Sequence, residues 1–341
     1  MKALRLSSFG QPLRMDDVPS PTPGPDDVVV EVRAAGVCHS DAHYRGGRGT
    51  VPRLPVTLGH EIAGVVVERG ERVTAPVVGA RVAVHYLVAC GTCAGCAHGE
   101  QFCLRGEMMG KDRDGGQAEH VLLPARNAVP VPEGVSDEQA AIMMCSTATA
   151  LHALRKGRLE QGETVLVLGF GGLGVSVARL GTLLGARRIL AVDRVGAKLK
   201  AARAAGAMPI DANGDVTEQI LAATDGAGAS VAIDLAGHPP LTTAALRALV
   251  PGGRLVLVAL NPEAFEFNPY QDVLAKERAI IGCSDHTRDE IVELLNWAAA
   301  GRLDLADAIS RRIPLEAGAV NAALDELERG TDHFRTVIVL A

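Results

Sequence analysis

The cysteines of this 341-residue chain point to metal chemistry. One short segment, CGTCAGCAHGEQFC, holds four of them: Cys90, Cys93, Cys96 and Cys103. Four thiolates at such short gaps can surround one ion, and four sulfur ligands satisfy the tetrahedral preference of zinc. The alternatives are metal-free reduced thiols and a redox C-x-x-C pair, but three interlocking pairs fit a metal better. The spacing therefore predicts a closed zinc site that stabilises a loop and does no chemistry.

A second, sparser set of metal-binding residue types is spread along the chain. It comprises Cys38 in GVCHSD, His60 in LGHEIAG and Cys145 in MMCSTA. Taken singly, each would more often be a structural residue than a ligand, but the local context is unusually polar. His60 precedes Glu61, and Cys38 opens a run that contains His39, Ser40, Asp41 and His43. Because three protein ligands leave one position of a zinc ion for substrate, this set indicates an open, catalytic site.

A glycine-rich segment, GFGGLG at 169–174, predicts a dinucleotide site. Gly169 closes an apolar run typical of a buried strand, Gly171 and Gly172 lie in the turn, and Gly174 opens a helix. Backbone N–H groups and the helix dipole at that point can receive a pyrophosphate. The alternative is a tight turn between a strand and a helix that binds nothing.

Asp193 supports the nucleotide interpretation, because it ends the next predicted strand, RRILAVD, 19 residues beyond Gly174. A carboxylate at this place can bind both hydroxyls of the adenosine ribose, and it repels a 2′-phosphate. We therefore expect NAD to be preferred over NADP, a preference that the neighbouring Arg194 could soften.

The elements that must position these residues change in rhythm near residue 146. Before it, short β-branched runs bounded by glycine and proline predict strands, at 28–37, 62–70 and 79–88. After it, apolar strands alternate with helical stretches; the strands lie at 164–169, 187–193, 230–237 and 252–260. This alternation predicts an α/β fold with a doubly wound parallel sheet. A final strand in FRTVIVL can return to the first domain, which would make that domain discontinuous.

Composition excludes several classes of partner. The formal net charge is −6 and no basic block appears, so we expect no nucleic acid. No run approaches the roughly 20 apolar residues of a membrane span, and MKALRLSSFGQPLRMDD lacks the apolar core of a signal peptide. Seven cysteines without an export signal favour a reducing compartment, so we expect a cytoplasmic protein that does not bind a membrane.

Together these motifs resemble the zinc-containing alcohol dehydrogenases of the medium-chain dehydrogenase/reductase family, over essentially the full chain. The segment GHEIAGVVVERGERV at 59–73 is similar to that family's zinc signature. The resemblance implies a β-rich, GroES-like catalytic domain at 1–146 and 288–341, and a Rossmann-type dinucleotide-binding domain at 147–287. It further implies two zinc ions per chain, NAD, a small alcohol, aldehyde or ketone as substrate, and a homotetramer.

The resemblance also implies a role for each site residue. Cys38, His60 and Cys145 bind the catalytic zinc, and Asp41 accepts a hydrogen bond from His60. Glu61 lies behind the metal, where it can exchange with substrate or water. Ser40 and His43 pass the proton of the alcohol through the cofactor ribose to water. Besides the glycines and Asp193, the cofactor residues implied are His39, Lys198 and Arg335.

Two other functions stay open. A polyol or amino-alcohol dehydrogenase would use the same chemistry, although many polyol enzymes of the family have a glutamate in place of Cys145. A non-catalytic zinc- and nucleotide-binding protein would be expected to lose the open-site residues, which this chain keeps.

One departure from the family pattern is the gap between Cys96 and Cys103, which is a residue shorter than usual. This gap bears on the loop geometry and on whether all four thiolates bind.

Overall fold

The computed structural model describes residues 1–330 and 333–340. These residues divide into two compact units. The first unit runs from Met1 to Ala148 and resumes at Thr287, and the second is the continuous segment Thr149–His286. No helix among the described residues is both long enough and apolar enough to cross a membrane.

The first unit begins with short strands and few helices. Its strands are β1 (Lys2–Leu6), β2 (Arg14–Asp17), β3 (Asp27–Val37), β4 (Val56–Thr57), β5 (Glu61–Arg69), β6 (Arg81–Val84), β7 (Leu87–Val88), β8 (Glu107–Met108), β9 (His120–Pro124) and β10 (Ala128–Pro130). Its helices in this part are α1 (His39–Arg45) and α2 (Asp137–Ile142), and a π-helical turn, Met143–Thr147, continues α2. The hydrophobic residues of β3 and β5 are buried together in the core of this unit.

One predicted strand is divided in two. The run 79–88 forms β6 and β7, which leave His85 and Tyr86 between them. The side chain of Asn127 lies against this break, where its Nδ2 donates to the carbonyl oxygens of His85 (2.7 Å) and Leu87 (2.8 Å). A side-chain amide therefore takes over hydrogen bonds that a sheet neighbour would otherwise make.

The second unit is an alternation of strands and helices, as predicted. In chain order it contains α3 (Ala148–Lys156), β11 (Thr164–Leu168), α4 (Gly172–Leu183), β12 (Arg188–Asp193), α5 (Gly196–Ala204), β13 (Met208–Asp211), α6 (Val216–Ala223), β14 (Ala229–Asp234), α7 (Pro239–Arg247), β15 (Leu249–Leu257) and β16 (Ala279–Gly282). The strands are parallel and lie in the order β13–β12–β11–β14–β15–β16. The predicted Rossmann-type sheet is confirmed, and the carboxyl ends of its strands are where nucleotides bind in such folds.

The chain then returns to the first unit. The returning elements are α8 (Arg288–Ala299), β17 (Ile309–Ile313), α9 (Ala317–Arg329) and β18 (Arg335–Val339). Strand β18 pairs antiparallel with β3, so the large sheet of this unit has the order β10–β6–β5–β3–β18–β17, with β9 also on β3. The capping box of Thr287 and Glu290 begins α8.

Candidate functional site

Three elements of the first unit bring the sparse Cys/His/Cys set together. Cys38 follows β3 and is the N-cap of α1, His60 directly precedes β5, and Cys145 lies in the π-helical turn. All three side chains are buried. The sulfurs of Cys38 and Cys145 lie 4.0 Å apart, and one ligand atom from each residue, with Glu61, lies within 4.8 Å of the others.

This donor set fits a zinc ion. Two thiols and an imidazole are ligands that zinc favours, and three such ligands are typical of a catalytic site with an open position. The Nε2 atom of His60 is buried and has no hydrogen-bond partner among the described residues. The neighbouring thiol of Cys145 holds the pKa of Cys38 well below its usual range, which favours the thiolate form that binds metal.

Asp41 connects the ligands. One of its oxygens accepts a hydrogen bond from the backbone N–H of Cys38 (3.0 Å), while the other accepts one from Gly59 (3.2 Å) and lies 3.3 Å from Nδ1 of His60. Burial alone would lower the pKa of His60, but the charges of Asp41 and Cys38 raise it above its usual range. A carboxylate behind a metal-binding imidazole fixes the ring orientation and its tautomer.

Glu61 and Arg335 form a buried ion pair beside the three possible zinc ligands Cys38, His60 and Cys145. The guanidinium of Arg335 donates to Oε2 of Glu61, and the two side chains are 5% and 0% exposed. Burial raises the pKa of Glu61 to about 7, while the guanidinium opposes that rise. Arg335, for which the family resemblance implies a contact with the cofactor, thus has an acidic partner in its own unit.

Of the polar residues after Cys38, His39 is exposed and Ser40 and His43 are half-buried, whereas Asp41 is buried. The rings of His39 and His43 stack with their centroids 4.6 Å apart, and Ser40 is half-buried between them in sequence. The Nδ1 atom of His43 is buried and lacks a hydrogen-bond partner among the described residues. Burial lowers the pKa of His43, and His39 lowers it further, so the imidazole is neutral near pH 7 and can accept a proton.

The four clustered cysteines converge despite the short gap before Cys103. Their sulfurs are 3.5–3.9 Å apart for the contacting pairs and all lie within 4.8 Å of one another. Backbone N–H groups of Cys90 and Leu104 donate to the sulfurs of Cys103 (3.3 Å) and Cys93 (3.4 Å). Four thiols in this arrangement fit a tetrahedral zinc ion with no vacant position.

Glu100 attaches this loop to the rest of its unit, a role that the spacing of the cysteines did not reveal. One oxygen accepts from Nη2 of Arg126 (2.9 Å), and the other accepts from the N–H of Arg288 (3.2 Å) and lies 3.0 Å from Nε2 of His85. The hydrogen bond with His85 lowers the pKa of Glu100 to about 2. The carboxylate is therefore charged throughout the physiological range.

The glycine motif lies at the carboxyl end of β11, the central strand of the parallel sheet. Gly169 has φ +89°, Gly171 is the N-cap of α4, and Gly172 is its first residue. A Cβ at Gly174 would lie 2.6 Å from the carbonyl oxygen of Gly169, so the close approach of helix and strand requires glycine. The N-terminus of α4 can therefore receive a phosphate group.

Asp193 ends β12, next to this motif. Its oxygens accept hydrogen bonds from the N–H groups of Phe170 and Val195, each at 2.9 Å. These bonds fix the carboxylate beside the turn at 169–172, while Lys198 lies half-buried in α5. The remaining predicted cofactor residues, His39 and Arg335, belong to the first unit.

The segment 57–59, ahead of His60, is held by contacts that local sequence did not predict. The backbone N–H groups of Gly115 and Gly116 donate to the carbonyls of Thr57 (2.8 Å) and Gly59 (2.9 Å). Gly59 itself has φ +93°. The signal in the sequence is the glycine pair at 115–116 after Gly110, but only the fold shows which peptide it meets.

Comparisons with known proteins agree with this geometry. Residues 24–133 match the model of the alcohol dehydrogenase GroES-like domain, and residues 172–300 match that of the zinc-binding dehydrogenases. A NAD-dependent alcohol dehydrogenase of Sulfurisphaera tokodaii is 33% identical, over 99% of this chain and 100% of its own.

Two solved structures are similar over nearly the whole chain. An alcohol dehydrogenase from Thermus sp. ATN1 has a TM-score of 0.92 and 29% identity, covering 100% of both chains. A zinc-binding dehydrogenase from Sinorhizobium meliloti 1021, solved with NADP, has a TM-score of 0.90 and 31% identity, covering 99% of both.

Proposed function

The chain belongs to the zinc-containing alcohol dehydrogenases of the medium-chain dehydrogenase/reductase family, and from this premise we propose that it oxidises a primary or secondary alcohol reversibly with NAD. The observation that carries the proposal is the buried group of Cys38, His60 and Cys145, which keeps the ligand chemistry of a catalytic zinc site. A zinc ion bound there acts as a Lewis acid and lowers the pKa of an alcohol hydroxyl. The second candidate zinc site, formed by the four clustered cysteines, has a structural role.

The chain's own residues supply the proton path in this proposal. Ser40 would accept the proton of the alcohol, and His43 would release a proton to water. The neutral state of His43 near pH 7 supports this role, because only a neutral imidazole can take up a proton. Asp41 holds His60 in place, and Glu61 is the additional acidic group beside the zinc ligands.

The cofactor residues follow from the glycine motif. The turn of Gly169, Gly171, Gly172 and Gly174 at the start of α4 is proposed to hold the pyrophosphate. Asp193 and Lys198 are proposed to bind the adenosine ribose, and His39 and Arg335 the phosphates. The negative charge of Asp193 supports NAD over NADP. The relative from Sulfurisphaera tokodaii is described as NAD-dependent, whereas the Sinorhizobium structure contains NADP, so this preference needs a direct test.

The other candidate activities keep part of this chemistry. A polyol or amino-alcohol dehydrogenase would use the same zinc site and cofactor with a different pocket. A non-catalytic zinc- and nucleotide-binding protein has no need of the relay residues that accompany the ligands. The homotetramer and the cytoplasmic location remain predictions.

The test is NADH formation by the zinc-loaded protein, measured by absorbance, across primary, secondary, aromatic and polyhydric alcohols with NAD and with NADP. We expect activity with one class and NAD, and a loss of about 100-fold or more in Ser40→Ala, the scale of a missing general acid–base group. The control is Ser7→Ala, the same change at an exposed position. Inactivity across the panel in protein that carries two zinc ions would favour the binding-protein alternative.

A further inference from the structure

The last residue of α1 is a buried arginine that the proposed reaction does not use. The side chain of Arg45 is only 9% exposed. Its Nη2 lies 2.6 Å from Oδ1 of Asp325 and 3.1 Å from Oε2 of Glu328, and its Nη1 lies 3.4 Å from both oxygens of Asn321. All of these partners belong to α9. The charge of Arg45 is thus matched by one other helix.

Helix α9 is itself well anchored, so it can serve as a reference for α1. Its apolar side is buried in the core of the first unit. Asn321 both accepts from the N–H of Leu13 (2.9 Å) and donates to the carbonyl of Leu13 (2.9 Å). A buried arginine is costly unless its hydrogen bonds are satisfied, and here the fixed partners satisfy it.

Helix α1 depends on contacts at its two ends. It has only seven residues, and a helix of that length has little stability of its own. Asp41 fixes the beginning through Cys38 and Gly59. Arg45 fixes the end, through its side chain and through its carbonyl oxygen, which accepts from the N–H of Gly10 (2.8 Å). Ser40 and His43 lie between the two anchored ends, Cys38 and Arg45.

We propose that Arg45 is a positioning residue for the proton relay: its ion pairs with Asp325 and Glu328 set the orientation of α1 and so place Ser40 and His43. This inference rests on the relay of the proposed function. It concerns the placement of the helix rather than direct contact with substrate.

The electrostatic effect of nearby charges on His43 must be distinguished from the effect of the position of α1. The groups that act on it are His39, Arg48, Cys38 and Glu328, and Arg48 Nη2 donates to Oε1 of Glu328 (2.9 Å). A change at Glu328 would therefore alter both the charge near His43 and the hold on Arg45. Asp325 contacts Arg45 and is not one of the main charges acting on His43, so Asp325→Asn tests position with less change in the charge around His43 than a substitution of Glu328.

A matched control lies one residue away on the same helix. Glu326 accepts from Nη1 of Arg311 on β17 at 2.6 Å, the same distance as the contact between Asp325 and Arg45. Asp325→Asn and Glu326→Gln thus each remove one carboxylate–arginine pair of α9, but only the first pair reaches α1. We expect kcat to fall about tenfold in Asp325→Asn, short of the loss of about 100-fold that a displacement of about 1 Å can cause. In Glu326→Gln we expect a change of less than about twofold, because the pair of Glu326 with Arg311 does not reach α1.

A second measurement does not depend on turnover. The ring resonances of His43, followed by NMR in zinc-loaded protein with labelled histidine, should shift in Asp325→Asn and stay in place in Glu326→Gln. Arg45→Lys keeps the charge but loses the planar fork, so it should give an intermediate kcat. Equal spectra and equal kcat in the two carboxylate variants would overturn the inference.

A double-variant cycle separates failure of this inference from failure of the relay itself. If both hold, His43→Ala is slow, and adding Asp325→Asn to it causes a smaller loss than in the parent, because one of the two positioned groups is gone. If His43→Ala is slow but Asp325→Asn costs the same factor in both backgrounds, Arg45 acts elsewhere and the inference is wrong. If His43→Ala is as fast as the parent, the relay is wrong and the positioning role falls with it.

Discussion

At the scale of single residues, we expect substitutions in the buried ion pair of Glu61 and Arg335 to destabilise the protein. Both side chains are removed from water beside the possible zinc ligands. Removing one member of such a pair leaves the other charge buried without a partner. The loss of stability on replacing one residue of the pair therefore comes mainly from its partner, which stays buried without a hydrogen-bonded neighbour.

We predict that Arg335→Met lowers the free energy of unfolding of the first unit by about 1–3 kcal/mol, because Glu61, whose pKa is already raised to about 7, becomes a protonated, buried carboxyl that has lost its partner. The double variant Glu61→Gln with Arg335→Met should recover part of this loss. The measurement is urea unfolding of zinc-loaded protein followed by tryptophan fluorescence. Trp297, the single tryptophan of the chain, lies in α8 and reports on this unit. A double variant no more stable than Arg335→Met would show that the unpartnered carboxyl of Glu61 is not the cause.

The same pair shows where sequence stops being informative for the site. The convergence of Cys38, His60 and Cys145 was predictable because thiols and an imidazole have few other uses in such a polar context. The partner of Arg335 was not, because it lies 274 residues away and no local pattern links the two. The contacts of Arg45 and Glu100 escaped prediction for the same reason: each joins segments that only the fold brings together.

At the scale of elements, the segment 57–59 and the glycines of 110–117 form a tight backbone contact ahead of His60. A Cβ at Gly115 would lie 2.1 Å from the carbonyl oxygen of Gly59 and 2.7 Å from the Cα of Gly110. Both are backbone atoms, which cannot turn aside as a flexible side chain would. A larger residue at this position must therefore displace the peptide that carries His60.

We predict that Gly115→Ala weakens zinc binding at the Cys38, His60 and Cys145 site by about 10- to 100-fold, the range found when supporting contacts of metal ligands are lost. The site of the four clustered cysteines should keep its metal. After dialysis against a competing chelator, zinc measured by mass spectrometry should fall from two ions per chain towards one. Gly318→Ala is the control, because a Cβ there meets nothing within 4 Å. Equal zinc in both variants would contradict the prediction.

Elements were more predictable than residue contacts, with exceptions that have physical causes. The alternation of apolar strands and helices identified the parallel sheet, since buried parallel strands are apolar on both faces. The division of the run 79–88 was missed because the hydrogen bonds that interrupt it come from Asn127, outside the run. Helix α5 begins at Gly196, whose weak helix propensity hides its first turn in the sequence.

At the scale of the whole molecule, the two units differ in how their chains are arranged. The second unit is one continuous segment, Thr149–His286, with its own hydrophobic core around the parallel sheet. It holds the glycine motif and Asp193, and its length is within the range of domains that fold independently. The first unit needs both ends of the chain, because β18 pairs with β3.

We predict that residues 149–286, produced alone, unfold cooperatively and bind NADH more tightly than NADPH, as followed by nucleotide fluorescence. Asp193→Asn should reduce or reverse this preference, because it removes the charge that repels a 2′-phosphate while its oxygen can still accept a backbone hydrogen bond. Asp211→Asn, at the end of the neighbouring strand β13, is the matched control and should leave the preference unchanged.

The comparison with the full chain assigns cofactor choice to one unit or to both. If the isolated segment prefers NADH over NADPH as strongly as the full chain does, Asp193 determines the choice of cofactor. His39 and Arg335 then contribute to affinity alone. If the segment binds both nucleotides equally while the full chain prefers NADH, residues of the first unit take part in the choice. If the segment folds and its Asp193→Asn variant prefers NADH over NADPH as strongly as the parent segment does, the role proposed for this carboxylate is contradicted.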